Sequence, residues 1–112
     1  MAMDEKMVEI AMELIVGAGS ARSYAMDAIR LAKEGSFEEA KEALDTAESE
    51  LVSAHHIQTD LIQRTARGED IEVNLLMVHA QDHLMTGMLA KDMAREIVEL
   101  HEKLAKCESN FS

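Results

Sequence analysis

No proline interrupts this chain, and apolar residues recur every three or four positions along nearly all of it, with clear breaks only at Gly35-Ser36 and between Arg67 and Asn74. Such spacing gathers side chains on one side of an α-helix, whereas strands need alternation bounded by turn residues, which appears nowhere. The apolar bulk agrees. Hydrophobic residues make up 47% of the chain but aromatics only 3%, so Ala, Leu, Ile, Val and nine Met supply it, and helices accommodate all of these. The expected fold is all-α, an antiparallel three-helix bundle in one domain over residues 1–112, with helices of about 30 residues and ~45 Å.

The first helix starts after Asp4, whose carboxylate caps free N–H groups, and runs to Lys33 or Glu34 before Gly35 closes it in the left-handed conformation. Its stripe is Met7, Ile10, Leu14, Ala18, Ala21, Ala25, Ala28 and Ala32. Gly17 and Gly19 either weaken it, at roughly 1 kcal/mol each relative to alanine, or permit close helix approach. Ser36-Phe37-Glu38-Glu39 is a capping box pattern: the Ser36 hydroxyl accepts from the Glu39 N–H while the Glu39 carboxylate reaches back to the Ser36 N–H. The second helix carries the seam Phe37, Ala40, Leu44, Ala47, Leu51, Ala54, Gln58, Leu61 and Thr65. Its two polar members read as register-setting or rim positions. Asn74 caps a third helix reaching about Lys106.

That third helix is apolar nearly all round. One stripe is Leu76, Ala80, His83, Gly87, Ala90, Ala94, Ile97 and Leu104; another is Leu75, His79, Asp82, Thr86, Leu89, Met93 and Leu100. Only one of them can meet the two partner helices, so the other is expected to meet another subunit. A 112-residue chain has a core of limited size, which points the same way.

Twenty-two acidic against eleven basic residues leave a net charge of −11, which repels nucleic acid and anionic lipid. No apolar run approaches the ~20 residues needed to span a bilayer. With a single cysteine, Cys107, and no charged-then-apolar leader, the expectation is a cytoplasmic protein that neither binds nucleic acid nor inserts into a membrane.

Chemistry concentrates in Val78-His79-Ala80-Gln81-Asp82-His83-Leu84-Met85. Positions i, i+3 and i+4 put His79, Asp82 and His83 on one side of a helix among apolar neighbours, where unpaired polar groups cost several kcal/mol. A neutral imidazole is a nucleophile near neutral pH, able to accept and release a phosphoryl group. The same spacing is similar to the inverted zinc-peptidase motif, with Asp82 where the general-base Glu stands, so a small metal-dependent hydrolase using His79, Asp82 and His83 is a third reading. A purely structural oligomer or adaptor is the second. It accounts for the helical seams and leaves the histidines unexplained.

The segment His79 to Met85, with Leu75 to Val78 before it and Thr86 to Leu89 after it, resembles the active-site signature of the lactose/cellobiose/chitobiose IIA family of the sugar phosphotransferase system. Ala18 to Ser23, Gly35 to Phe37, Ala54 to Thr59 and Ile97 to Lys103 are similar to other family segments. The resemblance implies that His79 receives phosphate from the phosphohistidine of HPr and passes it to a cysteine of the cognate IIB, which serves the membrane component IIC. It implies a homotrimer, nine helices in all, packed through helix 3, with Asp82 and its two symmetry mates around one divalent ion, Mg2+ being the expectation. Ala80, where lactose-type members tend to carry Gly, tilts the sugar toward a β-linked disaccharide such as cellobiose or chitobiose.

Gln81 and His83 are candidate groups for orienting His79 or its phosphate. Met85 and Met88 are either an adaptable docking surface or ordinary packing. His55 and His56, being adjacent, point in different directions, so at least one is expected in solvent. His101 reads as a surface or interface residue, and Cys107 as a spare thiol.

Overall fold

A computed structural model describes residues 4–111 as three helices: α1 (Glu5–Lys33), α2 (Phe37–Ala66) and α3 (Leu75–Phe111). The ends follow the local chemistry. Asp4 accepts the Lys6 backbone N–H at 3.3 Å, and Asn74 accepts that of Met77 at 3.0 Å. After α1, Gly35 takes a φ of 83°, while Gly35 N donates to Ala32 O and Ser36 N to Leu31 O. Gly68 repeats this closure after α2, with a φ of 94° and Glu69 N donating to Arg64 O. In both turns the left-handed glycine lets the chain return to carbonyls that the helix end leaves unpaired.

Two expectations about helix ends need correction. The capping box does not form: Ser36 makes no side-chain cap, and its backbone N–H, the group Glu39 was to bind, serves Leu31 O at 2.9 Å. The turn is three residues long, so one residue ends α1 and begins α2. Helix α3 also passes Lys106 and continues to Phe111, since no glycine or proline stands there to stop it. Its 37 residues extend about 55 Å, and the molecule measures 65 × 23 × 18 Å.

The core is thin and built largely of alanine. Helix α1 buries Met7, Ala11, Leu14, Ala18, Ala21, Ala25, Ala28 and Ala32, the expected stripe with Ala11 in place of Ile10. Six small residues in that row let both partner helices approach α1. Helix α2 buries Ala40, Leu44, Ala47, Leu51, Ala54 and Leu61, the expected seam without its two polar members and without Phe37, which is half-buried. Helix α3 turns differently from the first expected stripe: Met77, Ala80, Leu84, Ala94 and Val98 are buried, while Leu76, His83, Ala90 and Ile97 are half-buried along one flank.

Gly87 lies where α3 crosses α1, and a methyl group there would sit 3.2 Å from Ala18 O. Gly19, a candidate for such an approach, has nothing within 4 Å of the same position, and Gly17 only ordinary contact with Ala54. Ion pairs join α2 to α3 at two further levels: Lys41 to Glu102 at 3.1 Å, and Lys91 to Glu48. Hydrogen bonds to Asp92 and Glu48 raise the Lys91 pKa above the ordinary lysine value.

Candidate functional site

Helix α3 carries all four candidate residues, and its rotation about its own axis decides what each meets. Ala80 and Leu84 point into the core and are fully buried. At about 100° per residue, Asp82 and Leu89 point away from it. His79 stands about 60° to one side of Asp82, and Gln81 about 100° to the other. His79 and Asp82 are exposed, and His83 is half-buried. His79 and Asp82 therefore do not bear the desolvation cost expected from an apolar surround: they face outward with Leu75 and Leu89, 84% and 62% exposed, while Ala80 and Leu84 take the core side.

His79 and His83 form one unit. Their ring centroids are 4.5 Å apart at 85°, an edge-to-face contact that limits how the more exposed His79 ring can turn. Thr86, one turn further on, donates its hydroxyl to Asp82 O at 2.8 Å, so it serves the helix backbone. No group of three His, Cys, Asp or Glu among the described residues is placed to hold an ion. The zinc site suggested by His79, Asp82 and His83 does not form within one protomer.

Gln81 faces α2. Its Oε1 accepts from Gln58 Nε2 at 2.8 Å, and its own Nε2 lies 3.5 Å from Met77 Sδ. Gln58 also reaches Met85 Sδ at 3.6 Å. The polar break in the α2 seam is thus one half of a carboxamide pair, and the signal for it was a polar residue in an apolar row. Around the pair, α2 and α3 leave a groove of ≈ 500 Å³ lined by Leu61, Ile62, Val73 and Met77 among others. A larger groove between α1 and α2, with Met12 and Val16 on its wall, includes none of the candidate residues. Met85 is exposed, Met88 packs against the core, and both His55 and His56 are exposed.

The family profile described as the lactose/cellobiose-specific IIA subunit of the phosphotransferase system matches residues 9–102. The chain belongs to this family. Among its relatives, the lichenan-specific phosphotransferase enzyme IIA component of Bacillus subtilis is 54% identical over 104 residues, covering 93% of this chain and 94% of that one. The crystal structure of a cellobiose-specific enzyme IIA from Bacillus anthracis superimposes with a TM-score of 0.88 at 44% identity, over 94% of this chain and 95% of that one. The IIA(chitobiose) chain solved in complex with HPr, from the Escherichia coli N,N'-diacetylchitobiose branch, gives 0.75 at 42%, over 93% and 99%. This IIA chain thus has the three-helix fold of its relatives, and its histidine pair lies on α3 within the matched segment. No helix among its described residues is long and apolar enough to cross a membrane.

Proposed function

We infer that this IIA protein is a phosphocarrier that takes a phosphoryl group from phospho-HPr onto His79 and delivers it to a cysteine of its cognate IIB. The observation that carries the reading is an exposed imidazole, steadied by His83, on the helix where the family profile matches. In the first transfer the P–N bond to the donor imidazole breaks and its electron pair returns to that ring. A lone pair on a His79 ring nitrogen closes the new P–N bond. In the second, that bond breaks and the IIB thiolate forms a P–S bond. Transfer between two nucleophiles requires alignment and exclusion of water more than covalent help, which suits an exposed ring flanked by apolar side chains. The names of the relatives support a β-linked disaccharide such as cellobiose, chitobiose or a lichenan fragment as the sugar of the system.

The working form is an assembly of parallel copies packed through the outer face of α3, three by family resemblance. Leu75, Leu89, Met93 and Leu100 follow that face and are exposed in the protomer, over a core too thin to dispense with cover. Asp82 lies on the same line. One protomer supplies a single carboxylate there, and three would repel one another without a cation. Three carboxylates fit one hard divalent ion such as Mg2+, which prefers oxygen ligands, and the ion would neutralise them at the subunit contact.

The test is phosphoenolpyruvate-driven labelling through the general carriers, read by intact mass, of wild type, His79→Ala and His83→Ala. One phosphoryl group on wild type and His83→Ala, with none on His79→Ala, is the expected result. No label on wild type in the presence of phospho-HPr would leave the exposed α3 stripe as the mark of a structural oligomer.

A further inference from the structure

The groove between α1 and α2 has a volume of ≈ 590 Å³ and is lined by those two helices alone. Helix α1 gives it two rows at one-turn spacing, Met12 with Val16 and Glu9 with Glu13, and α2 adds Ile57 and Glu50. Met12 is 46% exposed and Val16 66%. Like charges four residues apart disfavour a helix, and here no cation answers them. Among the described residues Glu9, Glu13 and Glu50 make no ion pair, and no lysine or arginine lines the groove. Glu48, Glu69 and Glu102, elsewhere on the surface, are each held by a lysine or arginine.

An apolar trough with an unanswered acidic rim narrows what can cover it. A second copy of the same groove would bring like charges together, and an anionic lipid surface would be repelled. A cationic helix laid along the trough meets both rows at once, because its own residues three and four apart repeat at the same one-turn spacing. Met12, with its flexible thioether side chain, can follow the shape of what it meets. Packing through the outer face of α3 leaves this groove open.

We propose that the α1/α2 groove is a docking site for a cationic amphipathic helix of a partner protein. The apolar face of that helix sits on Met12, Val16 and Ile57, and its lysines or arginines pair with Glu9, Glu13 and Glu50. The proposal uses neither His79 nor the α3 assembly, so it stands or falls apart from the carrier reading.

The probe is a fluorescein-labelled peptide of about 18 residues, about five helical turns, with Leu at i, i+3, i+4 and i+7 spacing and Lys elsewhere. One control is an isomer with the same residues and no apolar face; the other carries Glu in place of Lys. Binding is read by fluorescence anisotropy. A benzophenone on the leucine face locates the peptide by cross-linking and peptide mass, and circular dichroism checks that each protein variant keeps its helices.

Wild type is expected to bind the Lys peptide about tenfold or more tightly than either control, with cross-links within residues 8–17 and 50–57, the span of the groove. Glu9→Gln, Glu13→Gln and Glu50→Gln combined, and Met12→Ser combined with Val16→Ser, should each weaken binding about tenfold. The first of these should also lose most of the salt dependence. Glu39→Gln, Glu42→Gln and Asp45→Asn combined remove the same charge from exposed positions of α2 outside the groove and should leave binding unchanged. No preference for the Lys peptide over its controls, cross-links on α3, or equal weakening by the distant charge variant overturns the proposal, and none of these results bears on the labelling of His79.

Discussion

Alanine at Gly87 and alanine at Gly19 change the same atoms in two helix interiors, and the structure requires different outcomes. Each substitution gains about 1 kcal/mol from helix propensity. At Gly19 the new methyl meets nothing within 4 Å, so the gain stands. At Gly87 it sits 3.2 Å from Ala18 O, and 3.6 Å from both Ala18 Cβ and Leu51 Cδ2. The two carbon contacts are ordinary. The oxygen is backbone in the middle of α1 and cannot swing aside as a side chain would. Forcing the helices apart by a fraction of an ångström costs about 1–3 kcal/mol.

The propensity gain cancels between the two variants, so their difference isolates the close approach, with Gly19→Ala the more stable by about 1–3 kcal/mol. For a chain of this size that is a separation of very roughly 4–12 °C in melting temperature. The assay is urea and thermal unfolding followed by far-ultraviolet circular dichroism. All proteins are held at one concentration, because self-association shifts apparent stability by mass action. Gly17→Ala, whose methyl would lie 3.7 Å from Ala54 Cβ, should behave like Gly19→Ala. Equal stabilisation by Gly87→Ala and Gly19→Ala would refute the view that glycine is needed at the α1/α3 crossing.

Three further outcomes are expected. Leu84→Ala removes a fully buried side chain one residue from His83 and should cost about 2.7–5 kcal/mol, a large share of a typical 5–15 kcal/mol, read as a drop in urea midpoint; a loss under 1 kcal/mol would mean that the core there is not packed as described. Lys91 has its pKa raised by Asp92 and Glu48, so its pairing stabilises the fold below the ordinary lysine pKa near 10.4 and is lost as pH rises through the higher folded value. Lys91→Met should therefore flatten the alkaline limb of the stability curve, and an unchanged limb would show that the pairing contributes nothing. Cys107 is exposed and follows Thr86, Met93 and Leu100 at seven-residue intervals, so mild oxidation of a parallel α3 assembly should give disulfide-linked pairs that Cys107→Ser abolishes. Failure to cross-link would argue against parallel packing along that line.

Local chemistry decided much of this protein before any packing. Absence of proline and the 3–4 spacing fix three helices; Asp4, Gly35, Gly68 and Asn74 mark their ends, because capping and left-handed closure involve only residues adjacent in the chain. The α1 and α2 faces were legible for a related reason: each has one apolar row against a polar remainder, so periodicity names the buried side. On α3 the spacing put His79, Asp82 and His83 on one side of the helix, without naming the side that faces out.

Tertiary structure decided what the sequence leaves degenerate. Helix α3 is apolar nearly all round, so periodicity cannot say whether Leu76 and Ile97 or Met77 and Val98 enter the core; packing against the alanine row of α1 chooses the second pair. That rotation sends Gln81 to Gln58 and leaves His79 and Asp82 outside. Ser36 had one N–H and two possible acceptors, and the short turn gave it to Leu31. Gly87, one glycine among five, became a point of close approach only because α1 passes there, for steric contact between residues far apart in the chain has no local signature.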